Sequence, residues 1–216
     1  MSSSNPPALS TRLFTESETH LIPYLAAIHA NCITSDHTIV TFLPPLDQDR
    51  LLGFWKDRIA EVRDGRRFMI LLFDESQRRT ADAATFQSSS PAVTAPTPGN
   101  PGPAAAGRAL DGPSLVGVVM LSTPYSETGP FRGWVEKLLV SPRFRRRGGA
   151  RALMGALEEE AARRGRTLLM ADTESGTVAE EMYKRLGYEE VGKIPNYGLS
   201  PAGGLRSETF FYKQLS

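Results

Sequence analysis

The chain has 216 residues, 25 Lys plus Arg against 24 Asp plus Glu, and a formal net charge of +1. That length suits one domain, or one with an appendage, and the neutral balance argues against bulk electrostatic attachment to nucleic acid or an anionic membrane. One cysteine, Cys32, excludes an internal disulfide, a cysteine-only zinc site and a CxxC redox pair, and it points to a reducing, cytoplasmic setting.

Neither a secretory signal pattern at the N-terminus nor a stretch of eighteen apolar residues is visible, so no membrane span is expected. In chain order, Leu9–Phe14 reads as a short strand, and helices are predicted at about Glu18–Cys32 and Leu46–Arg63. In the second, Leu51, Leu52, Trp55, Ile59 and Val62 recur at helical spacing, with Gly65 placed to stop it. Phe68–Phe73 and Leu115–Leu121 are continuous apolar runs of the kind found in buried strands. Between them, Gln77–Pro113 is mostly Ala, Ser, Thr, Pro and Gly, too poor in large apolar residues to offset its ordering entropy. It is expected to be a disordered insertion in the hairpin of one domain spanning 1–216. Loop-closure cost grows only logarithmically, so such an insertion is tolerable.

A third strand is predicted at Trp134–Val140. The clearest helix is Gly149–Arg164, with Ala150, Leu153, Met154, Leu157 and Ala161 on one face and Gly165 at its C-terminal end. A strand at Thr167–Ala171, a helix at Val178–Leu186, and strands at Tyr188–Lys193 and Glu208–Lys213 complete the order β-α-α-β-β-β-α-β-α-β-β. The expected class is mixed α/β around a central sheet.

The informative stretch runs from Val135 to Arg151, where a strand enters a Gly-rich, arginine-rich loop at a helix start. Five arginines lie between 143 and 151 with no acid among them. Free backbone N–H groups at such a helix start make an anion cradle, so a phosphorylated ligand is expected. The Walker and GxGxxG patterns are both absent. His20, His29 and His37 have no metal-ligand spacing, and no metal is expected.

The segment Arg145-x-x-Gly148-x-Ala150 resembles the Q/R-x-x-G-x-G/A signature of the GNAT superfamily of acyl-CoA N-acyltransferases. Ala179-x-x-x-Tyr183-x-x-x-Gly187-Tyr188 is similar to its second hallmark, at the family's distance from the first. The element order matches as well, and the likeness covers all but 77–113. It implies a mostly antiparallel sheet flanked by helices. It also implies acetyl-CoA as co-substrate, its pyrophosphate on backbone amides of Arg145, Arg146, Arg147, Gly148, Gly149 and Ala150, with Arg151 beside them. Main chain of Leu138, Leu139 and Val140 would pair with the pantetheine arm, an N–H near Val140 serving the oxyanion. Tyr183 would reprotonate the coenzyme A sulfur. Gly176 stands where many members carry Asn. Within the superfamily, Glu136–Val140, Arg151–Met154, Ala161–Leu169, Asp172–Glu174, Ile194–Pro195 and Phe211–Lys213 resemble the tabtoxin-resistance type, which implies a small amine acceptor and detoxification.

Amine acetylation needs the ammonium deprotonated, because its pKa of about 10 leaves it protonated at neutral pH. Glu136, Asp172 or a chain of waters could take that proton. Two other readings stay open: acetylation of a protein N-terminus or lysine, and a non-catalytic acyl-CoA-binding module. A dimer through an exposed final strand is a further expectation. Deleting 77–113 is expected to leave folding and acetyl-CoA affinity nearly unchanged, as checked by thermal melting and calorimetry.

Overall fold

The computed structural model describes residues 9–76 and 114–216; the expected insertion at 77–113 lies outside the described residues. The elements are β1 (Leu9–Leu13), α1 (Ile22–Asp36), α2 (Gln48–Arg63), β2 (Arg67–Asp74), β3 (Leu115–Ser122), β4 (Arg132–Val140), α3 (Gly149–Arg163), β5 (Leu168–Glu174), α4 (Val178–Arg185), β6 (Glu189–Leu199) and β7 (Leu205–Gln214). The sheet order is β1-β2-β3-β4-β5-β7-β6. Every neighbouring pair is antiparallel except β4 and β5. The mixed, mostly antiparallel architecture is therefore the one expected.

β2 and β3 are apolar at nearly every position because helices cover both of their faces. Phe68, Ile70 and Leu72 enter a cluster with Leu153, Met154 and Leu157 of α3. The alternate residues Met69, Leu71 and Phe73 join Leu25 and Ile28 of α1 and Leu51, Trp55 and Ile59 of α2. The two strands pair from Arg67 opposite Ser122 to Phe73 opposite Leu115, as the two apolar runs predict.

Three boundaries differ from the sequence reading, each for a local reason. Pro23 confines the α-helical start to Ile22, since proline fits only the first turn. The acidic segment before it is instead a 3₁₀ turn, Glu16–Leu21, in which the Thr15 N–H donates to Glu18 Oε2 at 2.7 Å. β6 runs to Leu199 rather than Lys193; Pro195 is tolerated because β6 is the sheet edge. β7 likewise begins at Leu205, not Glu208.

The feature that positions the site is the parting of β4 and β5. They pair in parallel for only three residues, Arg132 with Leu168, Gly133 with Leu169 and Trp134 with Met170. Beyond that, β4 stays with β3 and β5 stays with β7. A bulge sharpens the divergence: between Glu136 opposite Met120 and Leu139 opposite Val118, β4 carries one extra residue, and Lys137 sits at φ +52°.

Gly117 lies where the sheet, β4 and α3 crowd together. A Cβ there would stand 2.9 Å from the Leu139 carbonyl oxygen and 3.2 Å from Leu72 Cδ2. Gly117→Ala should therefore destabilise the fold by about 1–3 kcal/mol through overpacking, read as a lower urea midpoint with an unchanged m-value.

Candidate active site

Past Trp134, the β4 edge facing β5 has no strand partner among the described residues, so the main chain around Leu138, Leu139 and Val140 can hydrogen-bond an extended ligand as a strand would. The same strand feeds the loop that starts α3. Gly148, at φ +81°, is the residue before that helix, and no side chain caps it. Arg146 is also left-handed at φ +60°. The first-turn N–H groups of Gly149, Ala150 and Arg151 thus point out of the helix start unsatisfied by any cap, with no acidic residue in that turn. Gly149 is buried because a Cβ would meet Leu72 Cδ2 at 2.7 Å, which seats the helix end directly on β2.

Arg143, Arg146, Arg147 and Arg151 are exposed and, among the described residues, form no ion pair. Arg147 lies over the Phe144 ring at 5.3 Å. Arg145 differs. Its Nη1 is 2.7 Å from Asp36 Oδ1 at the end of α1, and its Nε donates to the Val140 carbonyl at 3.1 Å. Its side chain anchors the loop to α1, and its backbone N–H donates to the Pro142 carbonyl at 3.5 Å. The cradle, the free arginines and the open strand edge together fit a phosphorylated ligand with a long extended arm.

On the α1/α2 side of the sheet, the wedge carries the charged groups. Asp172 Oδ1 accepts a hydrogen bond from Trp134 Nε1 at 2.9 Å. Glu136 is engaged differently: Arg67, 5% exposed, donates to it from Nη1 at 2.9 Å and to Glu61 from Nε at 2.7 Å. The structure thus brings Asp172 to the wedge and commits the Glu136 carboxylate to a buried arginine. Lys137, which sequence reasoning passed over, stands between them; burial holds its ammonium below the usual lysine range, opposed by the charge on Glu136. Glu208 on β7 was also missed. It is 5% exposed, and burial first, then a hydrogen bond to Asp172, pushes its carboxyl up to about 8.

Tyr183 reaches the wedge from the other face of the sheet. Its ring stacks on Phe211 with centroids 5.5 Å apart and meets Tyr188 edge-on at 5.2 Å. Burial, with the charge on Asp172 adding to it, raises its hydroxyl well above the ordinary phenol range, so it stays protonated. The turn leading to α4 is fixed by Glu180, whose Oε2 accepts from the Gly176 N–H and whose Oε1 is 3.0 Å from Lys193 Nζ. Gly176 itself sits at φ +80°, in the left-handed region that favours glycine. His29 is fully buried against Phe42, Phe54 and Trp55. Burial, then the nearby Lys137 charge, lowers it to about 4, so it is a neutral core residue.

Among the described residues no group of three or more His, Cys, Asp or Glu side chains could hold a metal ion, and no helix is long and apolar enough to cross a membrane. Residues 69–188 match the model of the acetyltransferase (GNAT) family. The fold is similar to that of YncA from Salmonella typhimurium, provisionally named an acetyltransferase and solved with its cofactor acetyl-CoA. Identity is 16% over 97% of this chain and 95% of that one, with a TM-score of 0.61. It is similar also to a ribosomal-protein-alanine N-acetyltransferase from Brucella melitensis (20% identity, 95% and 99% covered, TM-score 0.62). A third likeness is to a protein provisionally named a phosphinothricin N-acetyltransferase (14%, 96% and 99%, 0.65).

The Glu180 contacts have a measurable consequence. Hydrogen bonds from Gly176 and from Lys193 hold its carboxyl near about 2, below its ordinary 4.5. A depressed carboxyl stabilises the fold above its unfolded pKa and loses that contribution as pH falls through the folded one. Glu180→Gln should therefore flatten the fall in melting temperature between about pH 4.5 and pH 2, followed by calorimetry.

Proposed function

The chain belongs to the acetyltransferase (GNAT) family and draws its acetyl group from acetyl-CoA; on that premise we propose that its acceptor is the primary amine of a small molecule, acetylated to detoxify it. The observation that carries this reading is the roof over the acceptor side of the wedge. The connection between α1 and α2 reaches across to the β6–β7 hairpin, where Ile39 Cγ2 stands 3.1 Å from the position a Cβ on Gly198 would occupy. A covered site suits a compact amine better than an extended peptide.

In this reading the backbone of Arg146–Ala150 and the free arginines hold the phosphates, and the open β4 edge aligns the arm, so that the thioester lies beside Asp172 and Tyr183. Asp172, oriented by Trp134, accepts the ammonium proton. Main-chain N–H near Val140 stabilises the oxyanion. Tyr183 then protonates the departing thiolate, a role for which a phenol kept protonated is suited. Glu136 serves the architecture, because its carboxylate is held by the buried Arg67.

The similarity to a ribosomal-protein-alanine N-acetyltransferase makes a protein acceptor the competing outcome. Thiol release should appear with some members of a panel of amino-acid, lactam-bearing, aminoglycoside and polyamine amines; acetylation of peptides alone overturns the small-amine reading. Tyr183→Phe should lower kcat by about 10²-fold and leave acetyl-CoA binding by calorimetry unchanged.

A further inference from the structure

Asp172 does not act alone. Asp172 lies opposite Phe210 and Glu174 opposite Glu208 across the β5–β7 ladder. Asp172, Glu174, Glu208 and Phe210 therefore share one face, with Asp172 and Glu208 as diagonal neighbours. Trp134, level with Met170 on β4, extends that face toward the wedge. Glu208 is almost wholly enclosed, and its Oε2 is buried with no donor among the described residues. Its Oε1 lies 3.0 Å from where a Cβ on Gly198 would stand, so β6 covers it. Asp172 has the Trp134 N–H on Oδ1; Glu208 has no such donor.

The other charged groups facing Glu208 are Glu174 from β5 and Lys137 from β4. Glu174 is 3.5 Å from Arg206 Nε on β7. Lys137 in turn faces Glu136, Arg67, Asp172 itself and Arg58 of α2. From β6 and from the α1–α2 connection the covering residues are Gly198 and Ile39. Among the described residues Glu208 thus forms no ion pair, the Lys137 charge acting on it without one. Two carboxyls in contact, one of them dry, do not both ionise; they share a proton.

We propose that Glu208 is the proton-storing partner of Asp172, and that the pair forms the subsite for a cationic acceptor amine whose apolar body lies on Trp134, Phe210 and Tyr197. Those rings form a continuous wall, Trp134 to Phe210 at 6.4 Å and Phe210 to Tyr197 at 5.2 Å, with Tyr197 half exposed. The wall suits an amine carried on an aliphatic or aromatic body. This rests on the small-amine reading above.

The protons balance as follows. At rest the pair carries one proton and one negative charge. An ammonium seating on Asp172 displaces that proton to water, leaving two carboxylates beside one cation. The pair then takes a proton from the ammonium nitrogen, whose freed lone pair forms the bond to the thioester carbon. When the C–S bond breaks, Tyr183 gives its proton to the thiolate. The remaining amine proton restores Tyr183, so one proton reaches solvent per acetyl group transferred. Glu208 touches Asp172 rather than the reacting atoms, and is a positioning residue.

Two measurements test this. With one amine of fixed pKa, wild-type kcat/KM should rise about tenfold per pH unit toward the second ionisation of the pair. Glu208→Gln removes the stored proton, and the profile between about pH 6 and pH 8 should become flat. A Glu208→Gln enzyme that retains the wild-type slope overturns the proposal. Independently of turnover, carboxyl-carbon NMR of the whole protein should show one carboxyl titrating near pH 8, absent from both Glu208→Gln and Asp172→Asn. If every carboxyl of the wild type finishes titrating below about pH 6, the two groups share no proton and the proposal fails. Should no amine be acetylated while this titration is seen, the small-amine reading falls and the pair stands.

Discussion

Everything at the site depends on two strands that begin as partners and then separate. Three parallel pairs, ending at Trp134 and Met170, tie β4 to β5; beyond them each strand keeps only its outer neighbour. A strand interior normally satisfies both edges, and unpaired buried N–H and C=O groups are costly. Parting therefore creates a demand for hydrogen bonds inside the sheet. The extra residue at Lys137 widens the gap, and the strand then runs directly into the uncapped start of α3. Hydrogen bonding for an arm and a cradle for phosphates thus follow from one backbone trajectory.

The charges near the wedge divide into those that hold the fold and those that face its opening. Arg67 is buried and takes carboxylates from Glu61 and Glu136. Removing one partner of a buried pair costs about 3–5 kcal/mol, so the Glu136 carboxylate helps to hold its own strand. Asp172 accepts from the Trp134 indole, lies beside the Glu208 carboxyl and forms no ion pair among the described residues. The difference between these two acids lies in their partners.

Much of this was legible in the sequence because local signals carried it. Continuous apolar runs gave β2 and β3, the glycines at 148, 165 and 187 marked helix ends, and the two motifs located the cradle and Tyr183. Residues whose roles arise from distant contacts were not legible. Lys137 adopts a left-handed backbone with no glycine or proline to signal it. Glu208 sits in the run Arg206–Thr209, which reads as a polar stretch; its burial is imposed by β6 and by Ile39, about 170 residues away in sequence. The five arginines look equivalent as text, yet Asp36, on a helix more than a hundred residues earlier, draws one of them aside.

That diverted arginine changes the long-range field of the molecule. With Arg145 neutralised by Asp36, four unpaired guanidinium groups gather at one helix start, in a chain whose net charge is +1. The chain's +1 less these four charges leaves −3 spread over everything else, the carboxylates at the wedge included. A nearly neutral protein therefore carries a strong internal separation of sign. Polyanions diffusing nearby are drawn toward the loop, a sorting by charge that acts before any contact forms. Raised salt would erode this sorting by screening it beyond about 10 Å, slowing encounter while leaving the short-range hydrogen bonds of the site intact.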